Sequence, residues 1–191
     1  EKLLVDGKEI TAETVFVPET KNGSVDVTFI FDATGLHGKE IVVFEDLYRE
    51  NVLLATHADI NDEGQTIKVK NPEIGTTASF EGEKEIDPLD KVTLTDTVSY
   101  KDLTPGKEYR VTGVLMDKSN GKELLINGEK VTAEATFVAT EASGSVDVTF
   151  IFDATGLHGK GIVVFEDLYR ENVLLATHAD INDEGQTIKV K

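Results

Sequence analysis

A hydroxyl, a carboxamide, two carboxyls and an imidazole occupy unusual places in this chain. In the closing stretch, Gln186 alternates with Ile188 and Val190, while Thr187, Lys189 and Lys191 take the other side. Two-residue periodicity therefore aims Gln186 with the apolar residues. Thr76 shares a side with Ile74, Ala78 and Phe80, and Asp96 fills an apolar slot in the alternation of Val92–Tyr100. Glu166 follows Ile162 and Val164 on one side, although Phe165 on the other side blurs that pattern. Such placements carry a cost. A buried unpaired amide costs roughly 1–3 kcal/mol, and a buried carboxylate must be paired, hydrogen-bonded or protonated. Two carboxyls in contact can share one proton and donate with it. His178 stands eight residues before Gln186, and an imidazole beside a Thr hydroxyl can take its proton. Together these are the parts of an acyl transfer: a nucleophile, a base, an amide electrophile polarised by an acid pair, and ammonia as leaving group. With donor and acceptor both in the protein, the product is a covalent cross-link.

Each group also has an ordinary structural role open to it. An inward Thr can be a satisfied core hydroxyl, an inward Gln can bind backbone, and His178 can sit at a rim. His37 and His158, in Gly-Leu-His-Gly segments, read as loop residues. Asp180, Asp183 and Glu184 lack EF-hand spacing and read as solvated turn residues, so neither a metal nor a cofactor is expected.

The elements that would hold these groups are strands. Thr, Val, Ile, Phe and Tyr alternate with polar residues over Ile74–Phe80, Val92–Tyr100, Lys107–Met116, Thr132–Val138, Ser145–Phe152, Gly161–Glu166, Val173–His178 and Gln186–Val190. Turn chemistry separates them at Pro105-Gly106, Asn120-Gly121, Asn127-Gly128 and Asn182–Gly185. Helical periodicity is weak, with room for one short turn near Gly156 or at Leu168–Glu171. Short strands at this spacing predict an all-β antiparallel sandwich or barrel.

The chain repeats itself at an offset of 121 residues. Gly23–Lys70 and Gly144–Lys191 differ only at Glu40 against Gly161, and Leu3–Val17 matches Leu124–Val138 more loosely. The stretch from Asn71 to about Glu123 occurs once. The expected organisation is a complete unit over 71–191 preceded, over 1–70, by the C-terminal part of a unit whose beginning is absent. Pro72 blocks a continuous strand ladder at the junction, and so short a linker implies closely stacked neighbours. In the first copy, Glu45, His57 and Gln65 take the places of Glu166, His178 and Gln186, while the counterparts of Thr76 and Asp96 would fall ahead of residue 1.

Composition narrows the function classes. Apolar residues make up 39% of the 191, enough to build a core. A net charge of −17 disfavours nucleic acid and anionic membranes as partners. The absence of Cys excludes disulfides and thiolate metal sites. No signal peptide and no apolar run long enough to span a bilayer is present, so membrane insertion is not expected and the chain reads as a fragment of something longer.

The ordered set Ile74-Gly75-Thr76, Asp96-Thr97-Val98-Ser99-Tyr100, Leu103-Thr104-Pro105-Gly106, Tyr109, Val163-Val164-Phe165-Glu166 and His178 through Gln186 resembles the Thr–Gln ester-bond repeat domains of Gram-positive surface adhesins. These domains are named for a Val-x-Phe-Glu signature, and the likeness is to clostridial cell-wall-anchored adhesins. It spans Asn71–Lys191. The resemblance implies an immunoglobulin-like, collagen-adhesin B-type sandwich. It also implies an autocatalytic ester from Thr76 to Gln186, with Asp96 and Glu166 as the acid pair and His178 as base. Thr77 is the alternative nucleophile; alternation and the Ile-x-Thr spacing favour Thr76.

Three functions compete: a stalk module stiffened by its own ester, a ligand-binding sandwich without a cross-link, and a hydrolase using Asp96 and Glu166. Inward placement of all five groups and the absence of Trp argue against the hydrolase. Near-identical repeats favour a spacer. The expected partners are neighbouring repeats of the same protein and a complementing chain for residues 1–70, with any host ligand bound elsewhere. The expected location is extracellular, on a cell wall.

Overall fold

Alternating residues become strands here wherever a partner strand lies alongside them. The structure, a computed structural model, describes residues 2–191. The chain separates into two units, one running to Val69 and one spanning Lys70–Lys191.

The N-terminal unit holds only short pairs. β1 (Leu4–Val5) pairs with β2 (Lys8–Glu9), β3 (Glu40–Val42) with β6 (Thr66–Lys68), and β4 (Glu45–Arg49) with β5 (Val52–His57). Single 3-10 turns lie at Thr34–Leu36 and Glu63–Gln65.

The C-terminal unit is built from two antiparallel-dominated sheets. Its strands are β7 (Glu73–Ser79), β8 (Glu85–Ile86), β9 (Val92–Lys101), β10 (Glu108–Asp117), β11 (Lys122–Glu123), β12 (Leu125–Ile126) and β13 (Glu129–Lys130). They continue with β14 (Thr132–Val138), β15 (Gly144–Phe152), β16 (Gly161–Arg170), β17 (Val173–His178) and β18 (Thr187–Val190). One sheet runs β15-β9-β7. The other runs β11-β10-β16-β18-β8, with β14 joining β10 and β17 joining β16. The β8–β18 pair is parallel. β12 and β13 form a separate hairpin closed by Asn127 and Gly128, both at positive φ, as an Asn-Gly type I′ turn requires.

One core lies between the two sheets. Ala78, Leu94, Val98, Val148 and Phe150 enter it from the three-stranded sheet, and Val111, Leu115, Val164, Leu168 and Ile188 from the seven-stranded one. Alternation produces this division directly, since successive side chains of a strand point to opposite faces. β9 shows it most plainly: Val92, Leu94, Asp96, Val98 and Tyr100 are buried, and the residues between them are exposed apart from the half-buried Thr95.

Two sequence expectations are corrected. Leu168–Glu171 is not a helical turn: β16 continues through Arg170, and Glu171 and Asn172, both at positive φ, turn the chain into β17. Pairing with β10 and β17 extends the strand beyond Glu166, because Leu168 and Tyr169 find cross-strand partners. Gly156 lies in a plain turn. Asn127-Gly128 and Asn182–Gly185 are turns, as their chemistry predicts.

Gly113 on β10 has no room for a side chain. A Cβ there would stand 2.5 Å from Cζ of Phe150, whose ring is fully buried. Gly113→Ala is therefore expected to cost about 1–3 kcal/mol by overpacking, read as a lower urea midpoint with unchanged slope. A midpoint equal to the parent's would show that the ring can yield.

Candidate functional site

Thr76, Asp96, Glu166 and Gln186 come from both sheets and meet between them, with His178 at the edge. β7 and β9 bring Thr76 and Asp96; β16, β17 and the residue just ahead of β18 bring Glu166, His178 and Gln186. Register sets the spacing within each sheet. Ala78 pairs with Asp96 and Thr76 with Val98, so Thr76 and Asp96 lie one rung apart on the same face. Glu166 pairs with Gly113 on one side and with His178 on the other. Gln186 is anchored by its backbone, its carbonyl accepting from Val164 N–H at 3.2 Å and its N–H donating to Asp183 O at 3.3 Å.

Two side-chain hydrogen bonds cross the gap between the sheets in opposite senses. The Thr76 hydroxyl donates to Glu166 Oε2 at 3.2 Å, and Gln186 Nε2 donates to Asp96 Oδ1 at 3.1 Å. Asp96, Glu166 and Gln186 are buried, and Thr76 is half-buried. Thr77 points outward and is exposed, so Thr76 is the hydroxyl inside the site. One oxygen of each group, Asp96 Oδ2, Glu166 Oε1 and Gln186 Oε1, is buried with no hydrogen-bond partner in the structure. A proton on the pair changes that balance. Burial, then the hydrogen bond and charge of Asp96, push the Glu166 carboxyl up from 4.5 to about 10, against the smaller opposing pull of the Thr76 hydroxyl. The pair therefore keeps a proton above the ordinary carboxylate range, and with it can donate where an ionised pair would only repel.

His178 stands at the edge of the site, half-exposed, with Nε2 2.8 Å from Asp183 Oδ2. The Thr76 hydroxyl is thus held by Glu166 and the imidazole by Asp183. β7 and β17 nevertheless run alongside each other.

Asp183 corrects the expectation of a merely solvated turn. Its other carboxylate oxygen accepts the Gly185 N–H at 2.6 Å, and its carbonyl accepts from the Thr187 hydroxyl at 2.6 Å. Partial burial alone would raise its pKa, but the bonds from His178 and from Gly185 N–H outweigh it and hold the carboxyl below its ordinary value. One side chain therefore shapes the turn before Gln186 and orients His178.

Lys84 is the second group that alternation did not reveal. It lies between β7 and β8, and its ammonium donates to the carbonyls of Ala78 and Gly185. Gly185 O also accepts the Ala78 N–H at 3.1 Å. Lys84 thereby clamps the Thr76 strand to the residue preceding Gln186. Its burial lowers its pKa, and the charges of Asp183 and Asp96 work against that.

The N-terminal unit reproduces half of this arrangement. Glu45 pairs with His57 across β4–β5, with a register shift between Leu47 and Tyr48 that matches one between Leu168 and Tyr169 in β16, and His57 Nε2 lies 2.6 Å from Asp62 Oδ2. Glu45 and Gln65 are only half-buried there.

A family model described as "T-Q ester bond containing domain" matches residues 1–69 and again 72–190. No curated protein matches the chain. Among solved structures the chain is similar to a bacterial adhesin from Mobiluncus mulieris, described as containing intramolecular disulfide, isopeptide and ester bond cross-links. In one crystal form (space group P1) the identity is 19% and the TM-score 0.56, over 64% of this chain and 57% of that one. In the other (P21) the values are 19% and 0.55, over 64% and 58%. At that identity the likeness speaks to the fold, and the chain spans somewhat over half of that adhesin.

Glu166 gives the site a pH signature. The folded chain retains a proton that the unfolded chain releases near 4.5, so its contribution to stability is complete below that pH and is lost as the pH rises toward about 10. In a Thr76→Val background, which leaves the hydroxyl out, melting temperature should fall between about pH 5 and 9. Adding Glu166→Gln should flatten the curve. Parallel curves for the two variants would exclude a protonated Glu166.

Proposed function

Because this chain belongs to the T-Q ester bond containing domain family, we propose that its C-terminal unit joins Thr76 to Gln186 by an ester of its own making. The observation that carries this reading is the opposed pair of cross-sheet hydrogen bonds around an unpartnered Gln186 carbonyl oxygen. In the proposed reaction Thr76 Oγ1 attacks Gln186 Cδ, a C–O bond forms, the C–N bond breaks, and the amide nitrogen leaves as ammonia carrying the hydroxyl proton. His178, oriented by Asp183, receives that proton and returns it to the leaving nitrogen. The protonated carboxyl of the Asp96–Glu166 pair donates to the Gln186 oxygen as negative charge develops on it. Asp96 Oδ1 already accepts from the leaving nitrogen in the ground state. Burial of all three central groups keeps water from the product.

The reaction consumes its own side chains, so each chain turns over once and the module is not an enzyme in the ordinary sense. In fold terms we take the two-sheet unit as an immunoglobulin-like, collagen-adhesin B-type sandwich, and the repeats as tandem modules. The cross-link would close a loop of roughly 110 residues, worth about 4–5 kcal/mol by analogy with a disulfide of that span. Such a module suits the stalk of an extracellular, cell-wall-anchored adhesin of Gram-positive bacteria. The Mobiluncus mulieris likeness supports an adhesin setting, whereas the clostridial likeness rests on the sequence resemblance. Among the described residues no helix is long and apolar enough to cross a membrane.

Intact-mass measurement tests the proposal. The purified chain should weigh about 17 Da less than its sequence requires, with Thr76 and Gln186 in one linked peptide. Thr76→Ala or Gln186→Ala should restore the full mass. Asp96→Ala, Glu166→Gln and His178→Ala should slow the loss at least tenfold while leaving a folded unit. Full mass in well-folded parent protein would refute the ester.

A further inference from the structure

β7 is the outer strand of its sheet, paired with β9 alone. Ala78 sits opposite Asp96, and its N–H donates away from β9 to Gly185 O at 3.1 Å. In an antiparallel ladder the N–H and C=O of one residue point to the same side, so the Ala78 carbonyl also faces the outer edge. Among the described residues, that N–H supplies the one backbone bond from β7 to the segment that carries Gln186. Apart from the Thr76–Glu166 contact itself, a single bond would leave the nucleophile strand free to hinge. Reacting atoms tolerate little of this, because a misplacement of about 1 Å can cost roughly 100-fold in rate.

Lys84 closes the hinge. Glu81 and Gly82, at φ 49° and 85°, form a tight turn across which Phe80 and Glu83 exchange backbone bonds of 3.0 and 2.8 Å. Lys84 is the first residue beyond it. Its carbonyl accepts the Lys189 N–H at 2.9 Å, which ties its backbone to β18. Its ammonium reaches back to bind Ala78 O and Gly185 O together. Ala78 and Gly185 are thus joined directly, N–H to carbonyl, and again through one cation on both carbonyls. Charge-assisted bonds of this kind are about twice as strong as neutral ones. The half-buried ammonium keeps its charge with the help of Asp183 and Asp96. Thr76 stands two residues before Ala78, and Gln186 directly follows Gly185. The approach is close: a Cβ on Gly185 would lie 3.9 Å from Thr76 O.

We propose that Lys84 is a positioning residue for the reaction of Thr76 with Gln186. It sets the nucleophile strand against the electrophile by binding a backbone carbonyl of each, and it acts through the main chain rather than on either reacting side chain. The inference rests on the ester reading above and adds no step to it. A lysine with only a stabilising role would affect how firmly the unit folds, whereas a positioning lysine sets how fast the folded unit reacts.

The chain has no Cys, so a Lys84→Cys variant can be alkylated at one place. The full chain carrying it is made by cell-free synthesis and quenched in urea as synthesis ends. One portion is S-aminoethylated, which rebuilds an ammonium at lysine length; another is S-ethylated, which restores an apolar chain without the donors. Both are refolded by dilution under conditions where circular dichroism shows them fully folded, and ammonia loss, about 17 Da per ester, is followed by intact mass. The aminoethyl form should react at least about tenfold faster than the ethyl form. Equal rates in the two folded forms would overturn the proposal, as would Lys84→Cys chains already fully cross-linked when synthesis ends. If the folded parent chain loses no ammonia, the ester reading fails instead. Hydrogen exchange at the Ala78 amide then decides the clamp: faster exchange in the ethyl form supports it, and equal exchange overturns it.

Discussion

Two carboxyl side chains, one from each sheet, meet in the core of the C-terminal unit, and among the described residues neither forms a salt bridge. Burying two such groups ionised would cost several kcal/mol apiece. A single proton held by the pair relieves much of that cost, and one oxygen of each acid is met by the Thr76 hydroxyl or the Gln186 amide. The sheets are therefore joined by polar contacts at one point of an otherwise apolar interface. That point requires each participant: remove one and a buried donor or acceptor is left alone. The site is thus a structural constraint before it is a chemical one, and the same constraint holds the reacting groups in place.

The supports around the carboxyl pair belong to the loops. Asp183 and Lys84 sit on either side of the Gln186 segment, one folding the turn through Gly185 N–H, the other binding Gly185 O. Strands supply the face, and these two charged residues set the position of the amide along it. A one-residue slip of β18 would turn Gln186 outward and Thr187 inward. Backbone bonds from Lys189 N–H to Lys84 O and from Lys191 N–H to Ile86 O add to the resistance against such a slip.

Alternation made Thr76, Asp96, Glu166 and Gln186 legible in the sequence, because a polar residue in an apolar slot of a strand is conspicuous once the strand is recognised. It also favoured Thr76 over Thr77, which the structure leaves exposed. Asp183 was not legible: it lies among Asp180, Asn182 and Glu184, and only the fold of the turn picks it out. Lys84 lies in a connection with no periodicity to read. The end of β16 is not legible in the sequence because Leu168–Glu171 has no strong strand pattern of its own; its partners β10 and β17 extend it. The hairpin β4–β5 forms without any such help, which shows where local sequence suffices. Residues 23–31, strand-like by composition but unpaired, show where it does not.

That dependence of β15 on β9 has a consequence for the order in which the protein is made. During synthesis the segment 71–123 emerges while the tail behind it, residues 23–70, is already complete, and its own tail is still 68 residues from completion. At roughly 5–20 residues per second the interval lasts about 3–14 s. Throughout it, a near-perfect copy of β15, residues 23–31, is already present while β15 itself is not. Hydrogen-bonded strands can part and re-pair, whereas an ester in a dry core does not exchange. Faithful assembly of such repeats therefore favours chemistry slower than strand exchange, so that the covalent step seals a pairing already sorted.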